Sequence, residues 1–190
     1  MRYHHCDTSE LIAAIDAAVS LGEPRAITTQ LSRSLERVVR EGRVQLPPTV
    51  YEVDEARYAR RLLHLSERYG YSVIAMTWAP GQGTLIHDHA GLWCVESVWS
   101  GCLEVTPYDL VETLGDTASF RAQRPIRAHL GTTGTLIPPF EYHTIRNAEP
   151  DTVAVSVHVY GGMMNQCTVF EPVDANWYMR KHCLLESLPA

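Results

Sequence analysis

The stretch that most constrains this 190-residue chain is 81–101, GQGTLIHDHAGLWCVESVWSG, which sets two histidines one residue apart in text that otherwise reads as strand. Side chains alternate faces along a strand, so His87 and His89 share a face while Asp88 takes the other. Two imidazoles side by side can ligate a metal or can be ordinary, satisfied core histidines, and a third histidine is needed to decide.

The glycines framing the pair bear on that choice. Five residues separate Gly81 from His87, four separate His89 from Cys94, and six separate Cys94 from Gly101. This resembles the first motif of the cupins, small metal-binding β-barrels, with Cys94 standing where most cupins carry a glutamate ligand. The second cupin motif has its counterpart in PPFEYHTIRN, which supplies Pro138, His143 and Asn147 at the usual spacing, with Phe140 in place of the usual glycine. The two motifs in order imply a metal site made of His87, His89 and His143.

The rest of the chain sets bounds. Its length suits one domain, and no Gly/Ser/Pro-rich linker divides it. A formal charge of −6 without a run of lysines or arginines argues against nucleic acid or an anionic membrane surface and leaves small molecules as the expected partners. The N-terminus lacks an apolar signal core and no apolar run is long enough to span a bilayer, so a cytoplasmic protein is expected. Five cysteines, at 6, 94, 102, 167 and 183, form no CxxC pair and read as free thiols. Cys6, Cys102, Cys167 and Cys183 read as small buried hydrophobes, and the adjacent His4 and His5 receive no role.

Taken in order, DTSELIAAIDAAVSLG offers Asp7 as an N-cap, Leu11, Ile12, Ile15 and Val19 at helical spacing, and Gly22 as a stop. A second helix opens at Pro24, carries Ile27, Leu31, Leu35, Val38 and Val39 on one stripe, and ends at Gly42. Asp54 is placed to cap a third, shorter helix bearing Tyr58, Leu62 and Leu63. After Gly70 the text becomes strand-like, at 71–78, 92–99, 102–108, 118–123, 134–137, 142–146, 152–160 and 166–171. The expected fold is mainly β: a single-domain cupin, or small jelly-roll barrel, over 67–172, with about three helices in 1–66 and a tail at 173–190.

The strand 152–160, TVAVSVHVY, puts Val153, Val155, Val157 and Val159 on one face and Ala154, Ser156, His158 and Tyr160 on the other. That polar face can look to solvent or line a cavity; beside a metal, the second choice gives a hydrogen-bonded relay ending in a phenol.

With HDH at 87–89, Cys94, His143 and SVHVY at 156–160, the chain resembles the thiol dioxygenases, cysteine dioxygenase in particular, from about Tyr58 to Phe170. The resemblance implies ferrous iron on His87, His89 and His143, a relay of Ser156, His158 and Tyr160, and Cys94 as the cysteine that becomes bonded to that tyrosine. It also implies that Tyr58 and Arg60, in YARRL on the last helix before the barrel, belong to the substrate site. Arg60 would grip a substrate carboxylate, although Arg60 and Arg61 both also read as solvated surface residues. Two features depart from cysteine dioxygenases: Gly161 and Gly162 follow the relay tyrosine, as in relatives that prefer 3-mercaptopropionate, and GLWCVESVW is unlike the usual text after HDH.

Such a site would bind a small thiol and O2, leave the cation uncompensated by any protein carboxylate, and add both oxygen atoms to sulfur. L-Cysteine is the expected substrate, with 3-mercaptopropionate and mercaptosuccinate as alternatives, and a monomer is expected. Two other readings stand beside it: a metallocupin enzyme of different chemistry, which explains only the histidines, and a non-catalytic ligand-binding cupin, which explains only the barrel.

Overall fold

The computed structural model describes residues 7–190, so His4, His5 and Cys6 lie outside the described residues. Helix α1 (Ser9–Val19) buries Leu11, Ile15, Ala18 and Val19. Its N-cap position is Thr8; Asp7, expected there, sits one residue outside and accepts a hydrogen bond from the Ser9 amide at 2.9 Å. In α2 (Pro24–Glu41) the Glu23 carboxylate accepts from the Arg25 and Ala26 amides, and Gly42, at φ 64°, closes the last turn. All five residues of its expected stripe are buried.

The third helix is absent. A single 3-10 turn (Pro48–Tyr51) is followed by strand β1 (Ala59–Ser66), and Asp54 accepts from the Ala56 amide within a turn. Tyr58, Leu62 and Leu63 have a helix-like spacing, but a segment this short gains little as a helix. As a strand it pairs antiparallel with β2 (Tyr71–Trp78) from Ala59↔Thr77 to Ser66↔Tyr71. Alternation then sends Leu62 into one core cluster and Leu63 against another.

The remaining strands are β3 (Ile86–His87), β4 (Cys94–Ser100), β5 (Cys102–Leu114), β6 (Thr117–Ala122), β7 (Ile126–His129), β8 (Thr133–Leu136), β9 (His143–Arg146), β10 (Ala154–Tyr160), β11 (Gln166–Asp174), β12 (Trp177–Leu184) and β13 (Leu188–Pro189). They form a six-stranded sheet, β13-β1-β2-β10-β4-β8, and a seven-stranded sheet, β6-β12-β11-β3-β9-β5-β7, with β6 also pairing to β5. The architecture is the mainly β, cupin-type one expected. The tail is not: β12 pairs along β11 from Gln166↔Leu184 to Asp174↔Trp177, and β13 runs parallel to β1. Charged Arg180 and Lys181 in WYMRKHCL hide this strand from a hydrophobicity reading, since its outer residues remain exposed.

Burial divides the interior. One cluster joins the inward stripes of α1 and α2 to Val73, Ala75, Val95, Val155, Val157 and Val159. A second lies inside the barrel and includes Ile74, Met76, Trp78, Cys94 and Tyr160. A third, aromatic cluster packs Phe120 against Phe170, Tyr142 and Tyr178 at one end of the seven-stranded sheet. Among the described residues no helix is long and apolar enough to cross a membrane.

Candidate metal centre

His87 ends β3 and His143 opens β9, and the two are direct register partners across those strands. His89 follows in the loop to β4, a site of tight turning in which Ala90 and Gly91 both take positive φ. The ligand atoms of the three histidines lie within 4.8 Å of one another. His87 Nδ1 donates to the Leu85 carbonyl at 3.0 Å and His143 Nδ1 donates to the Glu141 carbonyl at 2.7 Å, which leaves the Nε2 of each neutral ring as a lone-pair donor for a cation.

The residues fit a metal on two grounds. His89 Nδ1 and His143 Nε2 are buried without a hydrogen-bond partner, which costs free energy unless something else satisfies them. Burial, helped by the nearby His143, pushes the His87 imidazole down to about 3, and burial pushes His143 down to about 4 and His89 well below its ordinary value. Neutral imidazoles are the ligand form.

Asn147, the last residue of the second motif, is fully buried away from this cluster. Its side-chain amide donates to the carbonyls of Trp78 and Thr152, and its Oδ1 accepts from the Glu149 amide. It fastens the loop after β9 to β2.

Arg60, Tyr58, His87, His158 and Tyr160 line one cavity of about 180 Å³, with Met164, Cys167 and Cys183 on its wall. Tyr58 stacks on Trp78 with ring centroids 4.5 Å apart. Arg60 is 8% exposed, donates to the Met164 carbonyl at 2.8 Å and to Ser187 Oγ at 3.4 Å, and has no carboxylate within ion-pair distance among the described residues. Arg61 points the other way: its guanidinium donates to the Glu52 carbonyl and lies 3.9 Å from the Glu52 carboxylate. Because the segment is a strand and not a helix, adjacent arginines must take opposite faces, and Arg60 has the cavity face.

On β10, Trp78 Nε1 donates to Ser156 Oγ at 2.9 Å, and Ser156 Oγ is 2.8 Å from His158 Nε2. The expected relay stops there among the described residues. Tyr160 makes no hydrogen bond with His158; the rings lie parallel, 12° apart in plane with centroids separated by 6.0 Å. Tyr160 instead stands opposite Cys94 in the β4–β10 register, and its ring meets that of His89 at 5.6 Å. Burial pushes the Cys94 thiol well up, as it does the Tyr160 phenol, so both are neutral.

Two further features were not read from the sequence. Glu96, given no role on sequence grounds, is buried, and its carboxyl group is 3.7 Å from His143 Nε2; burial pushes it up to about 7. A carboxyl group therefore stands beside the histidine cluster, a neighbour that the two motifs do not indicate. The available signal was parity, since Glu96 shares the strand face of Cys94. The other feature concerns the glycines after the relay tyrosine. A Cβ on Gly161 would stand 2.3 Å from Nε1 of the Trp93 indole, and one on Gly162 would come within 2.8 Å of Leu92. The unusual residues before Cys94 and the two glycines are thus a single packing arrangement.

A β-barrel presenting three inward histidines from two motifs defines a metal-type cupin. The family pattern of cysteine dioxygenase type I matches residues 47–172, about two thirds of the chain, and the protein belongs to that family. It is similar to cysteine dioxygenase type 1 of Rattus norvegicus (24% identical over 118 residues, 62% of this chain) and of Danio rerio (26% over 120 residues, 62% of this chain), and spans 58% of the length of each. Solved structures with a similar fold include a double-stranded β-helix protein of Klebsiella pneumoniae (16% identity, TM-score 0.48, covering 64% of this chain and 85% of that one). Another is an RmlC-like cupin of Desulfovibrio desulfuricans (20% identity, TM-score 0.45, 64% and 98%).

Proposed function

We propose that the protein is a non-heme iron(II) thiol dioxygenase that converts L-cysteine to cysteine sulfinic acid, with iron held by His87, His89 and His143. The observation that carries this reading is a buried arginine without an anionic partner facing the same cavity as His87, in a chain of the cysteine dioxygenase family. An arginine is seldom buried unpaired, and a guanidinium with free N–H donors matches a carboxylate through two parallel hydrogen bonds. Arg60 would hold the substrate carboxylate while Tyr58, stacked on Trp78, fixes the wall beside it.

Bound iron would supply coordination of thiolate and dioxygen, the chemistry that transfers both oxygen atoms to sulfur. The protein's part is placement. Tyr160 would offer a neutral O–H to the cavity, with Ser156 and His158 hydrogen-bonded to each other on the same face of the strand. Cys94 and Tyr160 are cross-strand neighbours, which supports the thioether that the family likeness implies. Intact-protein mass after turnover, lighter by two hydrogens in wild type but not in Cys94→Ser, tests that bond.

Gly161 and Gly162 supported a 3-mercaptopropionate preference, but their contact with Leu92 and Trp93 supplies a packing reason for glycine that is independent of substrate. Iron analysis with oxygen-electrode traces for L-cysteine, 3-mercaptopropionate and mercaptosuccinate tests the proposal. Oxygen uptake with cysteine foremost is expected. Uptake with none of the thiols would return the protein to a metallocupin of other chemistry, and absence of metal affinity would leave a ligand-binding barrel.

A further inference from the structure

Glu96 lies two residues beyond Cys94 on the same face of β4, directly opposite His158 in the β4–β10 register. Its Oε2 is 3.6 Å from His158 Nδ1 and 3.7 Å from His143 Nε2, and is buried without a hydrogen-bond partner. On the other side its register partner on β8 is Gly134. A Cβ there would stand 2.9 Å from Glu96 Oε1 and 3.1 Å from Cγ, so the missing side chain is what makes room for the carboxylate.

The hydrogen-bond directions around this oxygen follow from the donors available. Trp78 Nε1 can only donate, and it donates to Ser156 Oγ. Ser156 Oγ is then free to give its own proton to His158 Nε2, and in that arrangement a neutral His158 carries its proton on Nδ1, the nitrogen that faces Glu96. His143 is the reverse case. Its Nδ1 proton is committed to the Glu141 carbonyl, so its Nε2 turns a lone pair toward Glu96. Glu96 Oε2 thus has an N–H at 3.6 Å, beyond hydrogen-bond length, on one side and a lone pair at 3.7 Å on the other, an arrangement that a cation near both would stabilise.

We propose that Glu96 is the anionic positioning residue of the metal centre: seated in the space left by Gly134 and facing the His158 end of the Trp78–Ser156–His158 chain, it sets a negative charge beside His143 and compensates part of the charge of the bound cation. The proposal rests on the reading of His87, His89 and His143 as the metal ligands. The chain Trp78–Ser156–His158 thereby gains an end point in place of the phenol, and Gly134 becomes part of the site's construction. The cysteine at position 94 did not remove carboxylate charge from the barrel; the charge sits two residues further along the strand.

The test uses metal-free full-length protein titrated anaerobically with Fe(II), and with Co(II) as a spectroscopic probe, in wild type, Glu96→Gln and Glu96→Asp. Glutamine keeps the shape and one acceptor oxygen, and it removes the charge while exchanging the other oxygen for an NH2 donor. Affinity in Glu96→Gln is expected to fall by about 10- to 100-fold, with a shifted Co(II) absorption spectrum and partial recovery in Glu96→Asp. Thermal unfolding of the metal-free proteins should show Glu96→Gln at or above wild type, because a buried carboxyl oxygen without a hydrogen-bond partner has been removed. Wild type and Glu96→Gln binding Co(II) within about twofold of each other, with one spectrum, would overturn the proposal. So would a lower unfolding midpoint with unchanged affinity, which would make Glu96 a packing residue. If wild type itself binds neither metal, the three-histidine reading fails first, and the two failures are told apart by that measurement.

Discussion

The two faces of β10 are equally buried and do different things. Val155, Val157 and Val159 belong to the cluster that joins the helices to the six-stranded sheet, whereas Ser156, His158 and Tyr160 face the barrel interior beside the histidine cluster. Degree of burial, then, does not separate structure from function here; the difference lies in whether the buried groups need partners. Valines are satisfied by contact, and the polar face by specific donors, acceptors and the bound species.

Substitutions on the two sides should therefore break different properties. The largest effect is expected from His143→Ala, which should abolish both metal retention and oxygen uptake, since three ligands leave no redundancy. Metal content and far-ultraviolet circular dichroism on the same sample check it, and full turnover by this variant would remove His143 from the site.

Next comes Arg60→Gln, on the cavity wall. Loss of the charge-assisted contact should cost roughly 2–4 kcal/mol, or about 30- to 1000-fold in kcat/KM for L-cysteine, with a much smaller loss for cysteamine, which lacks the carboxylate. Steady-state oxygen uptake with both thiols decides, and equal losses would indicate a damaged fold.

Val157→Ala, on the opposite face, should lower unfolding free energy by about 1–3 kcal/mol and leave metal affinity and KM where they were. Urea denaturation and a Co(II) titration measure the two quantities separately. A shift in metal affinity would show that the faces are coupled.

The smallest effect is on pH dependence. In metal-free protein the four buried histidines 87, 89, 143 and 158 are held neutral below the usual value near 6.5, those at 87 and 143 down to about 3 and about 4. As pH falls from about 6.5 toward 4.5 the unfolded chain gains protons that the native state refuses, so stability is lost with falling pH. Glu96 and Glu141, both pushed up to about 7, act in the opposite sense over this range because the native state holds their protons first. Histidines outnumber carboxyls, so a net loss on acidification is expected. His158→Gln should flatten it by about one proton, roughly 1.4 kcal/mol per pH unit, in denaturation curves at pH 7.5 and 5.5. An unchanged slope would mean that His158 is not buried neutral.

Much of the scaffold was legible. The stripe of α2, the strands β2, β4 and β10 and the alternation along 152–160 follow local periodicity, and the two histidine motifs carry their own spacing. What escaped was decided by partners far along the chain. Strand β1 looked helical until paired with β2, and β12 looked like a tail because its outward residues are charged. Glu96 escaped because a glutamate becomes interior only when its neighbours provide room and a donor, here Gly134 and His158, 38 and 62 positions away.

The contact between Trp93 and Gly161 carries a consequence for how such a sequence can change. A chain gaining a side chain at 161 while the indole is in place meets a clash, whereas one that first trims position 93 opens a void that the new side chain can fill. The order of the two steps matters, so positions 93 and 161, and likewise 92 and 162, should vary together among close relatives. Across the wider family, a glycine pair after the tyrosine would then report the bulk of the residues before Cys94 and not the identity of the thiol.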